Sequence, residues 1–349
     1  MYYDRLAALD LEIERYEREL RERDTSSGFT RTSTVLTLHG GGEVGRGEDV
    51  TYENDHHYSF VEDAPEIPVT GSFSFAEFSA ALADIDLFFG ETPESSVFRN
   101  YRRWAFESAA LDLALKQAET NLGTVLERSY DPVRFIVSTR LGEPPTPDRV
   151  RRFLDQNPDL EFKLDPTEQW TGELIDELAK TDAVRILDLK GKYEGTEVDL
   201  SADPELYGKI VEGFPEAVIE DPNLTEETRP VFESHENRVS WDYPIQGIDS
   251  VESLPWVPEW LNIKPSRFGT VQSLLDTIEY AQKRDIRLYG GGQFELDVGR
   301  EQLHALASLF YPDGPNDIAP IGYNDPEPDD GLAESPLPVP DSPSGLEWS

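Results

Sequence analysis

Lys163, Asp188, Glu220, Asp242 and Lys264 follow one another at intervals of 25, 32, 22 and 22 residues, and each stands at the end of a short apolar run. The runs read Phe162-Lys163-Leu164, Ile186-Leu187-Asp188, Val218-Ile219-Glu220, Ser240-Trp241-Asp242 and Leu261-Asn262-Ile263-Lys264. Three carboxylates brought together without a counter-ion repel one another, so they either take up protons or hold a cation. All-oxygen ligation selects a hard ion, Mg2+ or Mn2+. A lysine on each side could then take or return a proton next to a substrate carboxylate whose developing charge the ion stabilises. Such a lysine needs its pKa lowered, which a nearby cation does. Any one of these acids alone reads as part of the chain's acid surplus; three in register at strand ends read as ligands.

Only the ends of consecutive strands could gather such widely spaced residues. Around Lys264, alternation puts Asn262 and Lys264 on one face and Leu261 and Ile263 on the other. Pro265 cannot continue the ladder, which leaves Lys264 at the strand's carboxyl end, where parallel barrels carry their chemistry. From Pro132 onward short apolar runs alternate with amphipathic helices, the mark of βαβ units. The pattern predicts eight strands, near residues 133–137, 160–164, 185–189, 217–220, 238–242, 260–264, 286–289 and 317–321. Helices are expected near 147–156, 171–180, 203–213, 225–235, 269–284 and 299–310, with a short connection at 249–254 and no helix after the last strand.

Residues 1–130 read as a capping domain and 131–323 as the barrel. Leu11 to Leu20 fits a strand or a charged helix equally well. Ser33 to Leu38 alternates as a strand, and Gly40-Gly41-Gly42 then turns a hairpin. A polar loop with the adjacent His56 and His57 follows; neighbours point different ways on any regular element, so they are not read as a metal pair. The segment from Gly47 to Tyr58 is expected to cover the barrel mouth. Helical periodicity runs from Ser74 to Arg128 and is strongest over Arg99–Glu119. The Pro-, Asp- and Ser-rich residues 324–349 form a tail that packs on the cap or stays disordered.

Composition narrows the class. Asp and Glu number 70 against 31 Lys and Arg, a net charge of -39, which makes nucleic acid and anionic membranes poor partners. With 38% hydrophobic and 11% aromatic residues the chain can still fold. Acids spread along the whole sequence suit a cytoplasmic protein of a high-salt cell. The absence of cysteine excludes disulfides, zinc thiolates and a thiol nucleophile. No apolar run approaches the roughly 18 residues of a membrane span. Only eight lysines occur, so those at barrel-strand ends are not there merely for solubility.

Further motifs stand in a telling order: Gly45-Arg46-Gly47-Glu48, Glu107-Ser108-Ala109-Ala110-Leu111-Asp112-Leu113-Ala114, Ile219-Glu220-Asp221-Pro222, Asn262-Ile263-Lys264-Pro265, and the stretch from Gly291 to Arg300. Together they resemble the enolase superfamily, nearest to its muconate-lactonizing and o-succinylbenzoate-synthase branch. The resemblance implies an α/β fold, a (β/α)7β TIM-like barrel under an N-terminal α+β cap. It implies Mg2+, or Mn2+, on Asp188, Glu220 and Asp242, with Lys163 and Lys264 as acid/bases. Lys190, Asn262, Gln293 and Glu295 become substrate-binding or auxiliary residues. A small-molecule carboxylate substrate is implied, and a homo-oligomer is compatible with it. The reaction would begin by removing the proton α to that carboxylate, leading to racemisation or epimerisation, cycloisomerisation, or dehydration and β-elimination.

The departures matter. The family's Lys-x-Lys on the second barrel strand is Glu161-Phe162-Lys163, its Asp-x-Asn on the third is Asp188-Leu189-Lys190, and Tyr243 follows Asp242 where an acid is common. No histidine lies near the seventh strand, and the eighth lacks an Asp-x-Asp pair. These changes favour Lys264 as the one essential base, with Lys163 and Lys190 orienting charge. They also allow the alternative of a non-catalytic binding or scaffold protein.

Overall fold

The computed structural model describes residues 1–192 and 201–348. In chain order the N-terminal part comprises α1 (Tyr2–Leu6), β1 (Asp10–Ile13), β2 (Arg15–Asp24), β3 (Thr30–Gly40), β4 (Glu43–Asp49), α2 (Asn54–Glu62), β5 (Gly71–Ser74), α3 (Phe75–Ala83), α4 (Val97–Gln117) and α5 (Leu122–Leu126). Strands β2, β3 and β4 form an antiparallel sheet, and β1 pairs with β5. The ambiguous segment from Leu11 to Leu20 is therefore strand: pairing with β5 and β3 decides what its own pattern leaves open. The hairpin at Gly41-Gly42 forms as expected.

Helix α4 is the centre of this part, buried along nearly its whole length. β4 lies directly on it, and glycine makes that approach feasible. A Cβ on Gly47 would stand 2.0 Å from the Ala105 carbonyl oxygen, and one on Gly45 2.2 Å from that of Ala109.

The rest is β6 (Val137–Thr139), α6 (Asp148–Gln156), β7 (Phe162–Leu164), α7 (Gly172–Ala179), β8 (Val184–Asp188), α8 (Pro204–Gly213), β9 (Val218–Glu220), α9 (Arg229–Phe232), β10 (Val239–Trp241), α10 (Ile248–Glu252), β11 (Trp260–Ile263), α11 (Pro265–Phe268), α12 (Val271–Gln282), β12 (Arg287–Gly290) and α13 (Val298–Phe310). The strands from β6 to β12 form one parallel sheet in sequence order, each bonded to the next. Thr171, Asp203 and Thr270 cap α7, α8 and α12 through their side-chain oxygens, which fixes where each helix leaves its strand.

Three expectations need correction. The eighth strand is reduced to two bridging residues, Asn316 beside Phe135 and Asp317 beside Gly291, which tie the two edges of the sheet together. Pro315 and Pro320 flank them, and the Asn316 side chain supplies bonds the missing ladder would have made, accepting from Gly290 N at 2.7 Å and donating to Arg134 O at 2.8 Å. The first barrel strand begins at Val137, because Val133 bridges Leu337 of the tail. His56 and His57 sit on α2, with His57 buried between Thr34 Oγ1 and Thr51 O, both at 2.8 Å.

The tail is ordered against the body. Leu337, Leu346 and Trp348 are buried, and Leu346 N donates to Asp112 Oδ1 at 2.9 Å.

Candidate active site

Asp188 and Glu220 face each other in register at the ends of β8 and β9, and Asp242 lies two residues past Ser240, the partner of Glu220. Lys163 comes from β7, and Lys264 directly follows β11. All five side chains are buried, Lys163 pairing with Asp188 and Glu220 and Lys264 with Asp242. The Lys163 ammonium binds Glu220 Oε1, with Asp188 Oδ2 at 3.1 Å and Asp317 Oδ2 at 3.3 Å. Lys264 Nζ is 2.9 Å from Asp242 Oδ2. Asn262 Nδ2 donates to Glu220 Oε2 at 3.1 Å, as its shared face with Lys264 requires.

Lys190 also enters the cluster. Its ammonium pairs with Asp188 Oδ2 and stands 3.7 Å from Asp165 Oδ1. Gln293 and Glu295 lie apart from these ion pairs, in the seam between cap and barrel. Tyr52 OH donates to Gln293 Oε1 at 3.0 Å, Gln293 N donates to Glu295 Oε1 at 2.7 Å, and Arg300 Nη2 is 3.3 Å from Glu295 Oε2. Of the segment from Gly47 to Tyr58, Tyr52 thus reaches the seventh-strand loop, while most of the remainder is β4 and α2.

Other members of the site were not singled out from sequence. Arg267 Nη1 donates to Asp242 Oδ1 at 2.6 Å, because Pro265 starts the single turn α11 and rolls Arg267 back over the strand end. Tyr289, on β12, donates its hydroxyl to Glu220 Oε2. Asp221 accepts from Asp242 N at 2.9 Å and Tyr243 N at 2.8 Å, and so fixes the backbone that carries Asp242. Alternation along β12 points to Tyr289; the position of Asp317 depends on how the sheet closes.

The charges shape one another. Burial raises the Glu220 carboxyl to about 8, with Asp188 and Asp242 adding to the shift and Lys163 opposing it. Burial would raise Asp242 too, but Arg267 and Lys264 bring it down to about 2. Burial alone would depress Lys163; Asp188, Glu220, Asp317 and Asp242 overcome it and hold Lys163 well above the ordinary lysine range. Four carboxylates thus keep Lys163 charged even though the Lys190 ammonium shares Asp188 Oδ2 with it.

The donor set is hard and anionic, and it already holds a cation, since one ammonium bridges Asp188 and Glu220. It fits a divalent ion of the Mg2+ class on one condition. Each of the six oxygens of Asp188, Glu220 and Asp242 accepts from a protein donor. Among the described residues no three His, Asp or Glu side chains stand together as a ready metal cage. Protein donors must therefore give way to such an ion. Beside Lys190 opens a cleft of about 860 Å3, walled by Arg140, Asp165, Trp170 and the Ser26–Gly28 turn of the β2–β3 hairpin.

A cap over a parallel barrel is also the fold of solved enolase-superfamily members. Muconate lactonizing enzyme aligns with a TM-score of 0.68 and 19% identity over 96% of both chains. Muconate cycloisomerase from Pseudomonas fluorescens gives 0.67 and 19% over 97% of this chain and 96% of that one. An enolase-superfamily member from Listeria innocua Clip11262 gives 0.66 and 18% over 97% and 91%. At such identities the likeness is one of fold. The chain belongs to the family described as Domain of unknown function (DUF8230): its C-terminal domain matches residues 129–325 and its N-terminal domain residues 4–125. No curated protein matches the sequence.

Proposed function

We propose that the protein is an enzyme that removes the proton α to the carboxylate of a small-molecule substrate, the step shared by racemases and epimerases, cycloisomerases and dehydratases of this fold. The observation that carries the reading is that Lys163 and Lys264 pair with three buried carboxylates from the ends of three adjacent strands. Asp188, Glu220 and Asp242 are the residues that would hold Mg2+, or Mn2+ in its place. When bound, the ion supplies Lewis-acid stabilisation of negative charge developing on the substrate carboxylate. Lys264, positioned beside Asp242, takes the α-proton as the neutral amine. Lys163 stays protonated and presents a fixed positive charge to the developing anion. Tyr289 and Asn262 hold Glu220 in place from behind.

A second reading, a non-catalytic binding or scaffold protein, has one observation in its favour: the carboxylates are already matched by protein donors. The two separate in D2O. With Mg2+ present and a library of carboxylic acids offered, the enzyme incorporates deuterium at the α-carbon of at least one compound. If no compound exchanges, and calorimetry with Mg2+ and Mn2+ finds no saturable site, the enzyme reading fails and the scaffold reading stands.

A further inference from the structure

We infer that Lys190 is a tethered cation that competes with a divalent ion for Asp188, and that it moves to Asp165 when the ion binds. This rests on the metal-dependent reading above. Lys190 follows Asp188 by two residues, and its backbone has φ +52°, unusual for a residue with a side chain. The turn lets one residue close on Asp188 twice: its N–H donates to Oδ1 at 3.1 Å, and its ammonium pairs with Oδ2, the oxygen that also faces Lys163 at 3.1 Å. Two ammonium groups on one carboxylate oxygen leave no face for a third cation.

A divalent ion can reach these acids only where a basic group already on them gives way. Lys163 and Lys190 already stand on Asp188, Lys163 also on Glu220, and Lys264 and Arg267 on Asp242, so each of the three acids has a basic partner in direct contact. Adding a divalent ion without releasing a positive group would concentrate like charge in a buried place. Lys163 is held by three carboxylates, and Arg267 is buried on Asp242. Lys190 differs from both. Its side chain is 15% exposed, and a second acceptor, Asp165 Oδ1, lies 3.7 Å from its ammonium on the wall of the cleft. A small swing exchanges Asp188 for Asp165. The swing clears the oxygen for the ion and points the ammonium into the space a substrate would enter, so ion binding and exposure of a positive group to the substrate become one event.

The test is Mn2+ binding by calorimetry at constant ionic strength to the wild-type protein, Lys190→Asn and Asp165→Asn, with folding checked by circular dichroism. Lys190→Asn removes the competitor and is expected to bind Mn2+ at least tenfold more tightly. Asp165→Asn removes the alternative acceptor, leaves Lys190 on Asp188 and is expected to bind several-fold more weakly. Damage to the fold would weaken both, so the opposite signs exclude it as the cause. Tight binding by Lys190→Asn where the wild type shows none also supports the inference. Equal or weaker binding by Lys190→Asn, with the wild type binding well, overturns the competition and leaves the metal reading intact. Absence of binding in all three proteins overturns both.

Discussion

At the scale of single residues, the site depends on small separations between groups of opposite charge. Gly291 shows how little room is spare: a Cβ there would lie 2.4 Å from Asn262 Oδ1 and 2.7 Å from Lys264 Cε. Gly291→Ala is therefore expected to displace the lysine. Because misplacing a reacting group by about 1 Å can cost roughly 100-fold in rate, α-proton exchange should fall by at least about tenfold while Mn2+ binding, carried by β8 to β10, is kept. Equal loss of both would mean that the glycine supports the whole strand end and not the lysine in particular. In the proposed reaction Lys163, bound to Glu220 and close to Asp188 and Asp317, would act as a fixed positive charge, and the role of base would fall to Lys264.

At the scale of elements, the cap is joined to the barrel through Glu48. This buried carboxylate at the end of β4 accepts from Leu296 N at 2.6 Å, Asp297 N at 3.0 Å and Gly299 N at 3.0 Å, at the start of α13, and from Ser33 Oγ at 2.6 Å. Glu48→Ala leaves these donors without an acceptor and should lower stability by roughly 3–5 kcal/mol, since each unsatisfied buried group costs about 1–3 kcal/mol. Glu48→Gln, which keeps one acceptor oxygen, should lose less; denaturant titration of the two variants measures the difference. The barrel strands are largely legible in the sequence, because a parallel strand buried on both faces reads as an apolar run that stops at a polar residue. Asp188, Glu220 and Lys264 are visible for that reason. Arg267 is not, since its return to Asp242 depends on the turn of α11, and Asp317 is not, since it depends on closure by two bridging residues. The cap is less legible still: β1 and β2 are strands only because β5 and β3 pair with them.

At the scale of the whole molecule, buried titratable groups set a pH dependence with two opposed parts. Burial lowers His57 and His304 to about 4. The unfolded chain takes up protons near pH 6.5 that the folded chain refuses until about pH 4, so these residues cost stability as pH falls through that window. Each accounts for up to about 3 kcal/mol, at about 1.4 kcal/mol per pH unit. Glu220, raised to about 8, and Asp221, raised to about 7 by burial beside Asp242 and Asp188, act the other way. Their folded forms keep protons that the unfolded chain has lost, so their contribution declines as pH rises from about 4.5 to about 8. His304→Gln isolates the first part. Its unfolding free energy should vary less than that of the wild type between pH 6.5 and pH 4; parallel curves would show that His304 is protonated in the folded protein.

The reaction proposed for the barrel mouth turns on which lysine takes the proton, and α-proton exchange in D2O, with an accepted carboxylate and Mg2+ present, reads this directly. With Lys264 as the base, Lys264→Ala abolishes exchange from the substrate, while Lys163→Ala slows it without removing it. The assignment is contradicted if Lys163→Ala abolishes exchange and Lys264→Ala retains it, or if each variant loses exchange from only one enantiomer, the outcome of a two-base racemase or epimerase.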